Sequence, residues 1–549
     1  MFKKIKSLFK SGNFLTGAAV LALAGVICRL LGVVIRIPLA NIVGNFGMGL
    51  YQMVFPLYAL LLVVSSAGVP IALSKMIAGN PDKKQCRRIL LNAVILLGII
   101  GAVVSALFMI FSYQIAKLQG NSDVGIVYLA IAPSVFLVCI ISAFRGYFQG
   151  HQNMVPTATS QIIEQLVKVA VGITLALVFI QIDVVWAVFG AILAVTISEV
   201  AALVFLIGVY LWSLRKGGKE KKSTQSEKIP SKVSGRGKES AGKSRMISWG
   251  LMWTILKQSA PVTLMAAVFP LILVLDSMLV INMLVSAGTD SKEATQLFGI
   301  SSGSVHTLVN LPAVLAISLA VAIVPMCSSL LKQNKMDEFR QKMAMAVRIT
   351  ILISIFFTLF YLAFARNIID LLYHSAFREY PEHLDTATRL LKIESALIFL
   401  MGISAVFTSM LQGIDKAKFP LIALAVGGIL KIAFQFSLIR GPLGIYAVSI
   451  GNVICFLAAA ILNAVFALYF IKIKKGLKLD ALRFLFLTAT FAFFMLVLWH
   501  VMPENRWWVL LSGAAAFIIY AILVGVFGFY GYTFNKTKGG KKNEAKRID

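Results

Sequence analysis

Long apolar runs separated by short polar stretches organise this chain. A membrane-crossing helix needs about 20 mostly apolar residues. About fourteen such runs are present, near 14–40, 50–74, 89–113, 124–146, 157–181, 184–213, 251–285, 298–330, 345–365, 387–411, 419–438, 444–471, 481–501 and 507–530. The pattern predicts an all-α polytopic membrane protein with about 14 transmembrane helices. The start, "MFKKIKSLFK", is basic and is followed by an apolar run long enough to span, so a retained first helix is expected rather than a cleaved leader.

The polar stretches alternate in charge. The amino-terminus, 80–88, 144–152, 214–248, 332–342, 415–418, 472–478 and the tail are basic, whereas the stretches between them are nearly neutral or mildly acidic. Such alternation follows the positive-inside rule and predicts a multi-pass chain with both termini in the cytoplasm. It also accounts for the net charge of +29 without nucleic acid, because basic loops face anionic lipid. Hydrophobic residues make up 59% of the chain and charged residues 14%, a balance that excludes an ordinary soluble domain.

Residues 214–248 are low in complexity and rich in Lys, Gly and Ser, which predicts a disordered basic cytoplasmic linker. The expected domains are an N-lobe of helices 1–6 (1–213), the linker (214–248), a C-lobe of helices 7–12 (249–471), and helices 13–14 with a basic tail (472–549). The lobes look like an internal repeat. "FQGHQNMVP" (148–156) resembles "LQGIDKAKFP" (411–420), and Lys168 and Lys431 follow, 263 residues apart as are Gln149 and Gln412. Pro70 and Asp82 match Pro325 and Asp337 at a spacing of 255. Two six-helix lobes plus two C-terminal helices is a transporter-like plan.

Ionisable residues inside the apolar runs are the candidate functional groups, since a charge near the bilayer centre costs roughly 2.5–3.5 kcal/mol on insertion scales. They are Arg29, Arg36, Glu164, Lys168 and Glu199 in the first half, and Asp276, Lys392, Glu394 and Lys431 in the second. Arg145 and Lys75 lie nearer the cytoplasmic edge and are expected to snorkel. Arg29 and Arg36, seven residues apart on one expected helix, would share a face about 10.5 Å apart. Glu164 and Lys168 have the i, i+4 spacing of a helical ion pair. Guanidinium forks suit phosphate or pyrophosphate oxygens; the alternative is that the arginines reach helix carbonyls, Glu199 or Asp276. Pro38, Pro70, Pro325 and "GNFGMGLY" (44–51) are candidate bending points.

"CRLLGVVIRIPLANIVGNFGMGLYQ" (28–52), "FRGYFQGHQNMVPTATSQIIEQLVKV" (144–169), "LDSMLVINML" (275–284) and "LVNLPAVLAISLAVAIVP" (308–325) resemble the stage V sporulation protein B group. That group is related to the lipid II flippases within the multidrug/oligosaccharidyl-lipid/polysaccharide exporter superfamily. The resemblance implies a V-shaped pair of lobes around a cationic cavity. It further implies alternating-access transfer of an undecaprenyl-pyrophosphate-linked, lipid II-like cell-wall precursor from inner to outer leaflet of a bacterial cytoplasmic membrane. On this analogy Arg29 and Arg36 hold the pyrophosphate, with Glu164, Lys168 and Lys431 as further substrate-binding candidates. Helices 13 and 14 would form a groove for the polyprenyl tail. The spacing of the two arginines differs by one from that in the better-known flippases, and His306 and Thr307 stand where those carry an acidic–basic pair. Asp276 resembles a sodium-coordinating carboxylate of some relatives and is the ion-coupling candidate, although the helix over 419–438 offers no acidic partner. No other cofactor or metal is expected.

Three other readings compete. The same architecture could serve another lipid-linked polysaccharide, such as a capsule or teichoic precursor. A drug/cation antiporter would want a solitary titratable carboxylate and no arginines to repel its substrate. A membrane enzyme would need a catalytic loop. The only sizeable outer one expected, 366–387, carries His374, Glu379, Glu382, His383 and Asp385 but is short for that purpose. A transporter rather than an enzyme is therefore expected. No nucleotide-binding P-loop is present in the sequence, so ATP is not an expected partner.

Overall fold

The computed structural model describes residues 14–66, 68–78, 80, 82–223, 247–315, 317–318, 330, 333, 335–471, 477–501 and 505–529. Most of the linker and the carboxy-terminal tail lie outside these residues, as does Pro325 of the sequence repeat. Among the described residues the chain is helical, without strands. Twelve helical stretches among the described residues are long and apolar enough to cross a membrane. They correspond to the fourteen predicted runs with two differences. Ala24–Ala78, 55 residues long, takes in both of the first two runs, and the run at 298–330 falls partly outside the described residues.

The chain forms two compact units. The first comprises residues 1–35 and 53–277, and the second residues 36–52 and 278–549. In the first unit, α1 (Phe14–Val34) ends at a turn on Ile35, and α2 (Arg36–Ser66) begins the next segment. The Ile35 amide donates to the Leu31 carbonyl at 3.1 Å across this boundary, so Arg29 lies on α1 in the first unit and Arg36 opens α2 in the second. α3 (Val69–Ala78), α4 (Lys83–Ile110), α5 (Ser112–Leu118), α6 (Val124–Gly150), α7 (Val155–Phe179) and α8 (Val184–Ser223) follow. α9 (Trp249–Ser286) starts in this unit. Asp82 caps α4 by accepting from the Lys84 amide at 2.8 Å. Small residues set the tight helix contacts: a Cβ on Gly146 would lie 2.8 Å from Pro70 Cα, and one on Gly150 would lie 2.7 Å from Ile77 Cβ.

The second unit contains α10 (Ser291–Phe298), a π-helical turn (Gly299–Val305), α11 (Met336–Tyr373), α12 (Glu382–Gly413), α13 (Lys418–Leu438), α14 (Tyr446–Ile471), α15 (Leu477–Val501) and α16 (Trp508–Val526). Helix pairings recur between the units. α6 packs on α4 and α8, and α7 on α8; in the same way α12 packs on α11 and α14, and α13 on α14. The turn from α6 into α7 also recurs between α12 and α13. Gln152 (φ 57°) and Asp415 (φ 60°) each hold a left-handed conformation. The Asn153 amide donates to the Phe148 carbonyl at 3.0 Å, and the Lys416 amide to the Leu411 carbonyl at 2.8 Å. These are closely matched αL helix ends.

Residues 36–52 belong to the second unit through backbone approach. Gly44 adopts φ 67°, ψ −175° and breaks the helix there. A Cβ on Gly49 would stand 2.2 Å from the Thr295 carbonyl oxygen, and one on Gly299 would stand 2.2 Å from that of Asn45. Asn41 Nδ2 donates to the Leu372 carbonyl at 2.7 Å and Asn45 Nδ2 to that of Ala376 at 3.0 Å. Gln52 donates to the Ser302 carbonyl within the π-helical turn, where backbone groups depart from the α-helical ladder. The glycines of "GNFGMGLY" thus let this segment dock.

Candidate functional site

In the first unit, α1 lies against α7. Gly32 faces Gln165, and Cys28 is within electrostatic reach of Glu164, Lys168 and Arg145. The Glu164 carboxylate, half-buried, accepts from Arg145 Nη2 at 3.0 Å on one oxygen and faces Lys168 Nζ at 3.7 Å on the other. Arg145 Nε also donates to Ser160 Oγ at 3.1 Å, and that hydroxyl donates to the Thr157 carbonyl at 2.8 Å. Arg145 therefore has fixed partners that its place near the cytoplasmic edge does not suggest. It crosses from α6 to α7 and is fixed there by a carboxylate and a hydroxyl. Two cations share one carboxylate, which leaves this cluster with excess positive charge.

Arg29 is exposed on α1 and has no ion pair among the described residues. Glu199, 1% exposed, accepts from the Tyr58 hydroxyl, so the partner at its contact is a phenol and not an arginine. Asp276 is buried on α9. Its neighbour Ser277 bonds Gln119 Nε2 at 3.2 Å, in a network that includes Tyr128.

The second unit has its own buried polar centre. Glu394 on α12 is fully buried. One oxygen accepts from Ser449 Oγ at 2.9 Å and Asn452 Nδ2 at 3.0 Å, both on α14, and the other lies 3.3 Å from His306 Nδ1. Neither the histidine nor the α14 donors are evident as its partners from the sequence; opposite-charge pairs within helical spacing are the only ones visible there. Arg145 and Glu164, 19 residues apart across the α6–α7 turn, escape for the same reason. Lys431 is buried on α13 beside Gln435, and both alkyl stems pack over Gly451 of α14, whose missing side chain makes room for them. Arg36 is half-buried, within electrostatic reach of Tyr51 and Tyr373. Lys392 is exposed.

The expected outer loop at 366–387 is mostly helix. α11 continues to Tyr373 and α12 begins at Glu382. Two of its candidate titratable groups pair with neighbours, Asp385 with Arg366 and His374 Nδ1 with Asp370 at 2.9 Å, while His383 Nδ1 is buried without a hydrogen-bond partner among the described residues. Of the sequence-predicted residues, Glu164 and Lys168 join Arg145 in the first unit, and Lys431 belongs to the second.

Membrane-crossing helices in two units with recurring pairings and buried basic groups define a polytopic membrane transporter. The chain belongs to the polysaccharide biosynthesis protein family, whose pattern matches residues 14–331, and the MatE family matches residues 261–437. It is 27% identical to stage V sporulation protein B of Bacillus subtilis (strain 168) over 478 residues, 86% of this chain and 87% of that protein. It is 25% identical to the lipid II flippase MurJ of the same organism, over 78% of each chain. A solved structure of lipid II flippase MurJ in an inward closed conformation superposes with a TM-score of 0.67 at 15% identity, covering 93% of this chain and 98% of that one. The protein is a membrane flippase or transporter of the multidrug/oligosaccharidyl-lipid/polysaccharide exporter superfamily.

Proposed function

We propose that this protein moves an undecaprenyl-pyrophosphate-linked cell-wall precursor, of the lipid II type, from the inner to the outer leaflet by alternating access. The observation that carries the reading is the unbalanced basic charge in the first unit. Glu164 alone serves both Arg145 and Lys168, while Arg29 on the neighbouring α1 has no carboxylate among the described residues. A dianionic pyrophosphate complements that surplus, and guanidinium forks hold such oxygens in pairs. A cationic drug would be repelled by the same groups.

The test is depletion of the protein in its host, followed by mass spectrometry of polyprenyl lipids separated by leaflet. Accumulation of a pyrophosphate-linked glycan in the inner leaflet is expected, and the mass of its glycan separates a peptidoglycan precursor from a capsule or teichoic one. Unchanged polyprenyl lipids together with retained cationic dye would favour an antiporter.

A further inference from the structure

Away from the α1–α7 cluster, the first unit carries an open cavity of about 360 Å³ between α3 and the leading part of α9. Its walls are fixed by close backbone contacts. The Gly68 amide donates to Thr263 Oγ1 at 3.2 Å, and a Cβ on Gly68 would stand 2.2 Å from the Ser259 carbonyl oxygen. Gly146 and Gly150 seat the other side of α3 on α6. What remains of α3 and α9 faces the cavity: Ile71, Lys75 and Met76 from one helix, and Lys257, Gln258 and Pro261 from the other. No acidic residue lines it. Both lysines are exposed, and neither has an ion pair among the described residues.

Two ammonium groups facing one cavity with no carboxylate call for an anion, and a lysine binds phosphate as a point charge. The position of the cavity selects the source. α9 is 38 residues long, and about 20 of these suffice to cross the hydrocarbon core. The remaining length carries the leading part of α9, Lys257 included, beyond the hydrocarbon core on the side of the 214–248 stretch. Trp253, one turn before Lys257, and Trp249 are exposed, as interfacial anchors are. The basic stretches 80–88 and 214–248 adjoin these helices in sequence, and anionic lipid gathers beside such segments. Ile71, Met76 and Pro261 offer apolar wall to a glycerol backbone and the first methylenes of its chains.

We infer that the cavity between α3 and α9 holds the phosphate of an anionic phospholipid from the leaflet beside the basic loops, with Lys75 and Lys257 as the anion ligands and Gln258 as a further hydrogen-bonding group.

The test uses the full-length protein in phosphatidylcholine nanodiscs doped with phosphatidylglycerol, with co-purifying lipid counted by native mass spectrometry. Wild type is expected to retain phosphatidylglycerol, and the K75Q/K257Q variant to retain about tenfold less, with phosphatidylcholine retention and melting temperature unchanged. K83Q/K84Q removes the same charge from the exposed start of α4, outside the cavity, and is expected to behave as wild type. Equal retention by K75Q/K257Q and wild type, or equal loss in the two double variants, would overturn the site. Soluble glycerol 3-phosphate is expected not to displace the lipid; displacement at millimolar concentration would overturn the lipid as its ligand.

Discussion

Gln152 and Asp415, 263 residues apart, hold the same left-handed backbone conformation at the ends of α6 and α12. Each lies between a carbonyl at the helix end and the amide that closes the turn, so the two units carry one turn twice. Neither residue is a glycine, and left-handed geometry costs an L-residue roughly 1–2 kcal/mol. Gln152→Gly and Asp415→Gly should each raise stability by up to about 1 kcal/mol, the relief being partly offset by glycine's greater freedom in the unfolded chain. Thermal melting in detergent checks this. A fall in melting temperature at both positions would mean that the side chains hold the turns.

The helices and the repeat were legible in the sequence because apolar runs and repeated Gln-Gly turns depend on local composition. The Lys168 and Lys431 offset equals that of the two left-handed turns. Docking of residues 36–52 in the second unit was not legible. It depends on how closely Gly49 and Gly299 let backbones approach, a long-range property that composition does not encode. The charge cluster was half legible: Glu164 and Lys168 sit at helical spacing, but Arg145 arrives from another helix. The Glu394 centre escaped for the same reason, its donors lying on α14 and at His306.

Gly49→Ala should undock the segment over 36–52. The added Cβ would meet a carbonyl oxygen of the neighbouring backbone at 2.2 Å, which no rotamer change relieves. A loss of about 1–3 kcal/mol is expected for such overpacking. Gly98→Ala is the matched control, since nothing lies within 4 Å of its Cβ position, and it should be neutral or stabilising by up to about 1 kcal/mol. Equal melting temperatures for both variants would remove the close-approach explanation.

Glu164→Ala should destabilise more than Arg145→Ala or Lys168→Ala. Deleting the carboxylate leaves two half-buried cations facing each other, whereas deleting one cation leaves an ion pair intact. A loss of about 2 kcal/mol is expected for the glutamate variant, below the range for fully buried pairs. Melting curves of the three single variants and the E164A/R145A double variant measure the coupling. Strict additivity would mean that the contact contributes nothing.

A pyrophosphate lipid carrying at least about two negative charges gains about 4.6 kcal/mol per 100 mV on leaving a negative interior. Outward transfer in proteoliposomes should therefore slow when the potential is collapsed with a potassium ionophore, with no ion gradient required. An unchanged rate would exclude the potential as a driving force.

Arg29 gives the sharpest test of the proposed substrate. It is exposed on α1 without an ion pair among the described residues, so its removal strands no carboxylate. Arg29→Ala should keep the wild-type melting temperature and lose transfer of a fluorescent lipid-linked precursor by tenfold or more, the effect of about 1.4 kcal/mol or more in binding. Arg29→Lys should recover little, because an ammonium cannot reproduce the two-pronged guanidinium contact. A structural role predicts the opposite pattern, a lowered melting temperature with transfer falling only in proportion to folded protein. Measuring both quantities on the same preparation separates the two, and a stable alanine variant that still binds and flips the precursor would show that Arg29 does not hold it.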